Sequence, residues 1–382
     1  MQTTLYSYSD AMSSLADWFG SATTDATSLR RIKLAVEAAY REIANIRRWS
    51  YFMGNGRLTL NAQYNTGTIA YTNSTRAVTL TGGTWPSYAA FCTLSIAGVQ
   101  YQVASRDSDS QVTLSVNNNP GADVAAGASY VLWRDTYPLP VNFVELGTIR
   151  DSNRNIVLEY VEPNDFVAFR LYNTAVAQPR WFTITSDPHY TGTMALRLYP
   201  PPDQAYTYDY MYHRRPRPFT MPSYTTGTVT SSSTTVTGVG TTWTSSMIGT
   251  VIRTSPNSTT VPTGTTGANP YVYQRIVTGW TNATTLTIDQ AFDSDISSAV
   301  KHEISDPIDV EAGAMYTALL RRCEYELGVL QRRDDLQSLM SAYMVALNSA
   351  MEADNRNFDR KPEGTRFWRR VPNYYAITNA TN

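Results

Sequence analysis

The stretch TGTIAYTNSTRAVTLTGGTW, Thr66 to Trp85, returns later in the chain as TGTVTSSSTTVTGVGTTW, Thr226 to Trp243. Each copy leads into an apolar, strand-like run and then a Tyr-Gln step, Tyr101-Gln102 in the first and Tyr273-Gln274 in the second. A Thr-Leu strand follows, Val112-Thr113-Leu114 against Thr285-Leu286-Thr287. Repetition on this scale marks one supersecondary unit used twice. It divides the chain into two β modules set between helical ends, the layout of a building block more than of an enzyme.

Hydrophobic periodicity supplies the rest of the plan. Residues 1–24 are polar and read as an arm. A helix is expected from Thr27 to Trp49, where Ile32, Val36, Ala39, Ile43 and Ile46 recur at steps of three and four and form one apolar stripe. Asp25 or Thr27 can cap it by accepting from an early backbone N–H. Its other face carries Arg30, Arg31, Lys33, Arg41 and Arg48. Short strand-like runs from Gly56 to Trp133 (RLTL, AVTLTG, FCTLSIAG, YQVAS, QVTLSV, SYVLW) are separated by Gly, Asn, Asp and Ser turns, the rhythm of a small antiparallel sandwich or barrel. In the middle, PNDFVAFRLY (Pro163 to Tyr172) reads as a short helix with proline in its first turn. Strands open at Pro179 and Ala195. After Pro200-Pro201-Pro202, strict alternation puts Tyr206, Tyr208, Tyr210 and Tyr212 on one strand face and Thr207, Asp209, Met211 and His213 on the other. The second module holds a Thr/Gly/Pro-rich loop, Ser255 to Pro270, expected to be exposed and mobile. Two helices close the ordered part. Ala312, Tyr316, Leu319, Cys323, Leu327 and Leu330 form one stripe, and Leu336, Met340, Tyr343, Leu347 and Ala350 the other, with the turn at Gln331 to Asp335.

The expected fold class is therefore α+β: a helical bundle (N-terminal helix plus C-terminal αα-hairpin) with two inserted, repeated antiparallel β modules, a mixed central segment and an extended C-terminal tail. The expected divisions are 1–55 for the arm and first helix, 56–134 for β module 1, 135–222 for the centre, 223–305 for β module 2, 306–354 for the hairpin and 355–382 for the tail.

Composition narrows the function classes. Hydrophobic residues make up 42% of 382, enough for packed cores, but charged residues only 16%, and 26 tyrosines with many Thr, Ser and Asn fill the gap. That bias suits strands with one wet face. A net charge of −1 argues against binding naked DNA as the main activity. The two cysteines, Cys92 and Cys323, read as small core hydrophobes. The N-terminus lacks a basic region followed by an apolar stretch, so no secretory signal is expected. No run approaches the roughly 20 apolar residues that span a bilayer.

No catalytic constellation is visible. The three histidines, His189, His213 and His302, are far apart, and there is no CxxC, HExxH or EF-hand pattern. A GxSxG elbow, a cysteine-nucleophile signature and a Gly-rich loop leading into a helix are all missing. His213 is expected to be solvated or at an interface, and Asp334-Asp335 to be helix-start residues. No metal, cofactor or enzymatic activity is expected. Four N-x-S/T sequons, at Asn73, Asn257, Asn282 and Asn379, are what a Thr-rich chain produces by chance. Two basic clusters remain. Arg214, Arg215 and Arg217 read either as a contact for passing DNA or as a rim for carboxylates of a partner or neighbouring subunit. Arg366, Phe367, Trp368, Arg369 and Arg370, followed by Tyr374 and Tyr375, read as a docking peptide. Such residues bury large areas while still satisfying a polar end.

Three stretches carry a family resemblance: EAAYREIANIRRWSYF (Glu37 to Phe52), LRLYPPPDQAYTYDYMYHRRPRP (Leu196 to Pro218) and GTVTSSSTTVTGVGTTWTSSMIGTVIR (Gly227 to Arg253). With the order of parts, they make the chain resemble the head-to-tail adaptor (connector) proteins of short-tailed bacteriophages. Duplicated β modules of this size depart from the smallest adaptors, which are little more than the helical part. The resemblance implies a structural virion protein at the head–tail interface, made in the host cytoplasm, with no membrane partner. It implies a homo-oligomeric, dodecameric ring that joins the portal protein to the tail nozzle, with fibre proteins as further partners and genomic double-stranded DNA passing through the lumen. The basic-aromatic tail, Arg366 to Tyr375, would dock on the portal. Two other readings stand beside this one: a tail nozzle or fibre-attachment protein, and a carbohydrate-binding adhesin using exposed Tyr and Trp. A cell-wall hydrolase comes last, because neither module offers a convincing pair of facing carboxylates.

Overall fold

The computed structural model describes residues 5–20, 25–153, 156–172, 176–263 and 269–359. Among them the chain is mixed α+β, with five α-helices and four sheets that are antiparallel except at one short pair. In chain order the elements are α1 (Tyr8–Phe19), α2 (Ala26–Ile46), β1 (Met53–Thr59), β2 (Thr68–Thr72), β3 (Ala77–Thr81), β4 (Thr93–Ile96), β5 (Val99–Arg106), β6 (Gln111–Leu114), β7 (Val124–Ala128) and β8 (Tyr130–Trp133). Then come β9 (Thr136–Pro138), β10 (Phe143–Asp151), β11 (Glu159–Tyr160), α3 (Pro163–Tyr172), β12 (Trp181–Ser186), β13 (Met194–Tyr199) and β14 (Thr207–Arg214). The last part holds β15 (Thr228–Ser232), β16 (Thr235–Val239), β17 (Val251–Thr254), β18 (Tyr273–Asn282), β19 (Thr285–Ile288), β20 (His302–Ser305), α4 (Ala314–Gln331) and α5 (Leu336–Asp359). Two compact units result: one from the described residues of 1–52 and 216–382, the other from Met53–Arg215.

The repeat read in the sequence is one sheet built twice. Module 1 has strand order β7-β2-β3-β6-β5-β4-β8, and module 2 has β15-β16-β19-β18-β17-β20. In each, a tyrosine ahead of the first strand pairs back onto the last strand and closes the sheet on itself. Tyr64 exchanges two backbone bonds of 2.8 Å with Leu132, and Tyr224 exchanges two of 2.8 Å with Ile304. Gly67 and Gly227 take the same left-handed backbone, φ 84° and 87°, hard against the carbonyls of Thr81 and Val239. Only glycine tolerates both that φ and that approach. Pairing also corrects the sequence alignment. Leu94 and Ile252 are equivalent, since each pairs with the closing residue, and Ser95 faces Gln100 as Arg253 faces Gln274. The partner of Gln274 is thus Gln100, not Gln102, and the two Tyr-Gln steps do not correspond. Likewise Val112-Thr113-Leu114 matches Leu286-Thr287-Ile288, one residue on from the sequence reading. Hydrogen-bond register decides such offsets, and residue similarity is blind to it.

The unit Met53–Arg215 contains module 1 and a second core. The RLTL run, expected to open module 1, instead pairs as β1 with β14, in a sheet of order β1-β14-β10. All four ladder tyrosines, Tyr206, Tyr208, Tyr210 and Tyr212, are buried in one cluster with Leu60, Phe143, Ile149, Leu196 and Leu198. His213, expected to be solvated or at an interface, is buried in this unit, although Met211 on the same face of β14 is exposed.

In the other unit, α1, α2, α4 and α5 share one core with Trp49, Phe52, Ile308 and Val310. The expected N-terminal arm is helical across Tyr8–Phe19, with Tyr8, Ala11, Leu15 and Ala16 buried and a capping box between Ser7 and Asp10. Helix α2 starts at the cap Asp25 as read but ends three residues early, at Ile46, and Trp49 turns back to donate its indole N–H to the Ile43 carbonyl at 2.8 Å. Helix α5 continues to Asp359, past the expected start of the tail. Buried Asp354 accepts from Ser50 N–H at 2.9 Å and Ser50 Oγ at 2.5 Å, and it pairs with Arg47 at 3.2 Å. The Ser255 to Pro270 stretch is pinned where it is described. Buried Asn269 donates to Ser255 Oγ at 3.0 Å and to the carbonyls of Thr260 and Val261 at 3.1 and 2.9 Å.

Arg253 joins module 2 to α1. Its guanidinium, 2% exposed, donates to both Asp10 carboxylate oxygens at 2.7 and 2.6 Å, to Ser7 Oγ at 3.0 Å, to the Leu5 carbonyl at 2.9 Å and to Gln274 Oε1 at 3.0 Å. Its far face lies over the Tyr271 ring.

Two glycines make room for the tyrosine ladder: Gly56 sits opposite Tyr210 and Gly54 opposite Tyr212. A Cβ at Gly56 would overlap the Tyr210 ring, whereas one at Gly54 would meet the Tyr212 ring at 3.0 Å. Gly56→Ala should therefore destabilise by about 1–3 kcal/mol, and Gly54→Ala by less. Urea denaturation of the two variants checks the order.

Candidate functional site

The described residues hold no group of three or more His, Cys, Asp or Glu arranged to bind a metal ion. Cys92 and Cys323 are unbridged buried thiols, Cys92 donating to the Tyr88 carbonyl at 3.3 Å. Burial pushes both thiols far above the usual range, so neither is a thiolate at neutral pH. His189 is exposed, edge-on to Phe91 at 5.0 Å, while His213 and His302 are buried, one in each unit. No helix among the described residues is long and apolar enough to cross a membrane.

The basic cluster Arg214, Arg215, Arg217 does not form one patch within either unit, because the unit boundary falls between Arg215 and Pro216. Arg214 ends β14 opposite Phe143. Arg215 is exposed and held by its backbone N–H, which donates to the Asn142 carbonyl at 2.6 Å. Arg217 is a structural staple. Its guanidinium donates to the Ile248 carbonyl at 2.9 Å and pairs with fully buried Asp306 at 3.4 Å. Asp306 also accepts from the backbone N–H groups of Thr220 and Met221. The Arg217 N–H donates to Asp309 at 3.0 Å, and its carbonyl accepts from the Tyr40 hydroxyl at 2.9 Å. The same hydroxyl accepts from Asp309 N–H at 3.2 Å. These bonds tie α2, the chain entering module 2 and the chain leaving it into one knot.

The remaining candidate surface is the outer side of α4 and α5. From Leu336 through Met351 there is no Lys, Arg, Asp or Glu. The inner stripe of α5 buries Tyr343, Leu347 and Ala350. Met340, expected in that stripe, is 39% exposed, and Met344 and Val345 are exposed by 42% and 71%. A groove of about 720 Å³ runs between the two helices, floored by small side chains such as Ala314, Ser338, Ala342 and Ala346. Inward, α4 is tied to α2 by Arg322, which pairs with Glu42 at 2.7 Å and Glu326 at 2.6 Å and stacks over Tyr343. The outward face of α5 from Leu336 to Met351 is left neutral, while α4 contributes one half-exposed cation, Arg321, to the groove. A solvated helix face is normally charged, so a neutral one suits contact with another protein surface. The absence of charge after Asp335 is a signal the sequence carries, and counting the inner stripe alone misses it. Arg366, Phe367, Trp368, Arg369, Arg370, Tyr374 and Tyr375 lie outside the described residues.

Residues 96–236 match the model of a family described as SU10 adaptor protein. The matched stretch runs from the end of β4, through the centre of the chain, into β16 of module 2. No curated protein matches the chain. The match covers under half of the chain, and over that stretch the chain is similar to a phage adaptor protein.

Arg217→Ala should cost about 1–3 kcal/mol, since it leaves buried Asp306 without its cation and the Ile248 carbonyl without its donor. Arg215→Ala should stay within about 0.5 kcal/mol. Urea denaturation of the two variants measures the difference.

Proposed function

We propose that this chain is the structural adaptor of a phage virion, a ring-forming protein that joins the capsid portal to the tail and continues the DNA channel. The observation that carries the proposal is the match of residues 96–236 to the adaptor family. The neutral outer face of α5 between Leu336 and Met351 supports the ring. A closed ring repeats one heterologous contact about an axis, so each subunit needs two different complementary faces. The α4–α5 groove is the candidate for one of them. In this reading α2 and the α4–α5 hairpin form the helical bundle of the ring wall, and the two β modules set attachment geometry for nozzle and fibre proteins. Arg366 to Tyr375 dock on the portal, where ring multiplicity raises avidity. The role is structural, without chemistry of its own.

Mass measurement should find either monomer or a closed assembly of about 510 kDa, twelve copies of the 42.6 kDa chain. A stable dimer alone would sink the reading. Val345→Glu places a charge in the neutral face and should shift the ring toward monomer without changing thermal stability. Deleting 366–382 should leave ring mass unchanged and abolish capture by purified portal rings. Normal capture by the truncated chain would remove the docking role.

A further inference from the structure

The duplication makes a controlled comparison of its own. Tyr130 of module 1 and His302 of module 2 stand at the same place, two residues before the equivalent closing positions Leu132 and Ile304. The surroundings match. Tyr130 is edge-on to Trp85 at 5.2 Å and near Tyr64 at 6.4 Å; His302 is edge-on to Trp243 at 5.7 Å and near Tyr224 at 5.9 Å. The chemistry does not match. The Tyr130 hydroxyl reaches the Thr66 carbonyl at 2.8 Å. The shorter His302 is fully buried, and neither ring nitrogen has a hydrogen-bond partner. Its cross-strand neighbour Thr254, also fully buried, keeps an unpartnered hydroxyl where module 1 has the apolar Ile96. Module 2 therefore encloses an ionisable group at a point where module 1 is satisfied and neutral.

We propose that module 2 is an acid-labile element: protonation of His302 inside its core opens the closing strand β20, while module 1, with Tyr130 at that position, stays closed. The groups around the imidazole give the proton no compensation. Lys301, adjacent on the strand, adds like charge, and its ammonium is directed to the Gly227 carbonyl at 3.2 Å. Tyr224, Trp243 and Thr254 are neutral. Glu303 alternates to the opposite face of β20, where Ser223 donates to it at 2.9 Å. Opening β20 also loosens its pairing with β17, the strand that carries Arg253 and so holds α1.

Burial pulls the His302 imidazole down to about 4, from an ordinary value near 6.5. Between those values the unfolded chain takes up a proton that the folded one refuses. The stabilisation is complete above pH 6.5 and is lost as pH falls toward 4, on the order of 10²-fold in the folding equilibrium. Burial raises the Glu303 carboxyl, which acts in the opposite sense, so variants must be compared with the parent chain. The test is hydrogen exchange followed by mass spectrometry between pH 7 and 4 on the full chain, His302→Tyr and His302→Gln. In the parent chain, peptides covering 224–232 and 300–305 should lose protection near pH 4.5, while those covering 64–72 and 130–133 keep it. In both variants the two modules should respond alike. Proton NMR of the three imidazoles in the parent chain reads the titration independently of any variant. Loss of protection by both modules together, unchanged opening in the variants, or a His302 ring titrating near 6.5 overturns the proposal.

Discussion

The buried Arg253–Asp10 pair is the interaction on which the organisation of the helical unit depends. A guanidinium removed from water must have its donors met, and this one reaches a carboxylate, a hydroxyl, a carbonyl and an amide oxygen at once. Such a pair adds little net stability, but it heavily penalises any arrangement that leaves one partner alone. It therefore specifies where α1 sits. Asp10 serves twice, since it also closes the capping box that starts the helix. In module 1 the position of Arg253 is held by Ser95, so the same barrel carries no such anchor there.

The second organising feature is duplication with divergence. The closing tyrosine, the left-handed glycine and the buried tryptophan recur in both copies. These positions are set by closure of the sheet and tolerate little change. Other positions differ both inside the sheet and outside it: Tyr71 and Leu80 of module 1 correspond to Ser231 and Gly238 of module 2. Outside, Arg253 reaches α1 where module 1 has Ser95, while the glutamine paired with each is shared, Gln274 and Gln100. Also inside, His302 and Thr254 replace Tyr130 and Ile96 and leave an imidazole and a hydroxyl unpartnered where module 1 has neither.

Both helical ends of the chain are held by charge placed inward. Asp354 fixes the late part of α5 to Ser50 and Arg47, and Arg322 fixes α4 to α2 through Glu42. What remains outward on α5 from Leu336 to Met351 is neutral, with exposed Met344 and Val345. That division supports reading the outer face as a contact surface, and it fits a protein that works by position in an assembly.

Local patterns determined much of this protein from sequence. Periodicity of two and of about three and a half identified the modules, the tyrosine ladder, α2 and the two closing helices, because backbone geometry alone dictates which side chains share a face. Tertiary structure decided what depends on partners distant in the chain. It assigned β1 to the sheet with β14, shifted the alignment of the repeats by register, and buried His213 in a middle strand. It turned Arg217 from a surface cation into a staple for Asp306, and the N-terminal arm into a helix anchored by Arg253. Burial and pairing across hundreds of residues set those outcomes, and no window along the chain contains both partners.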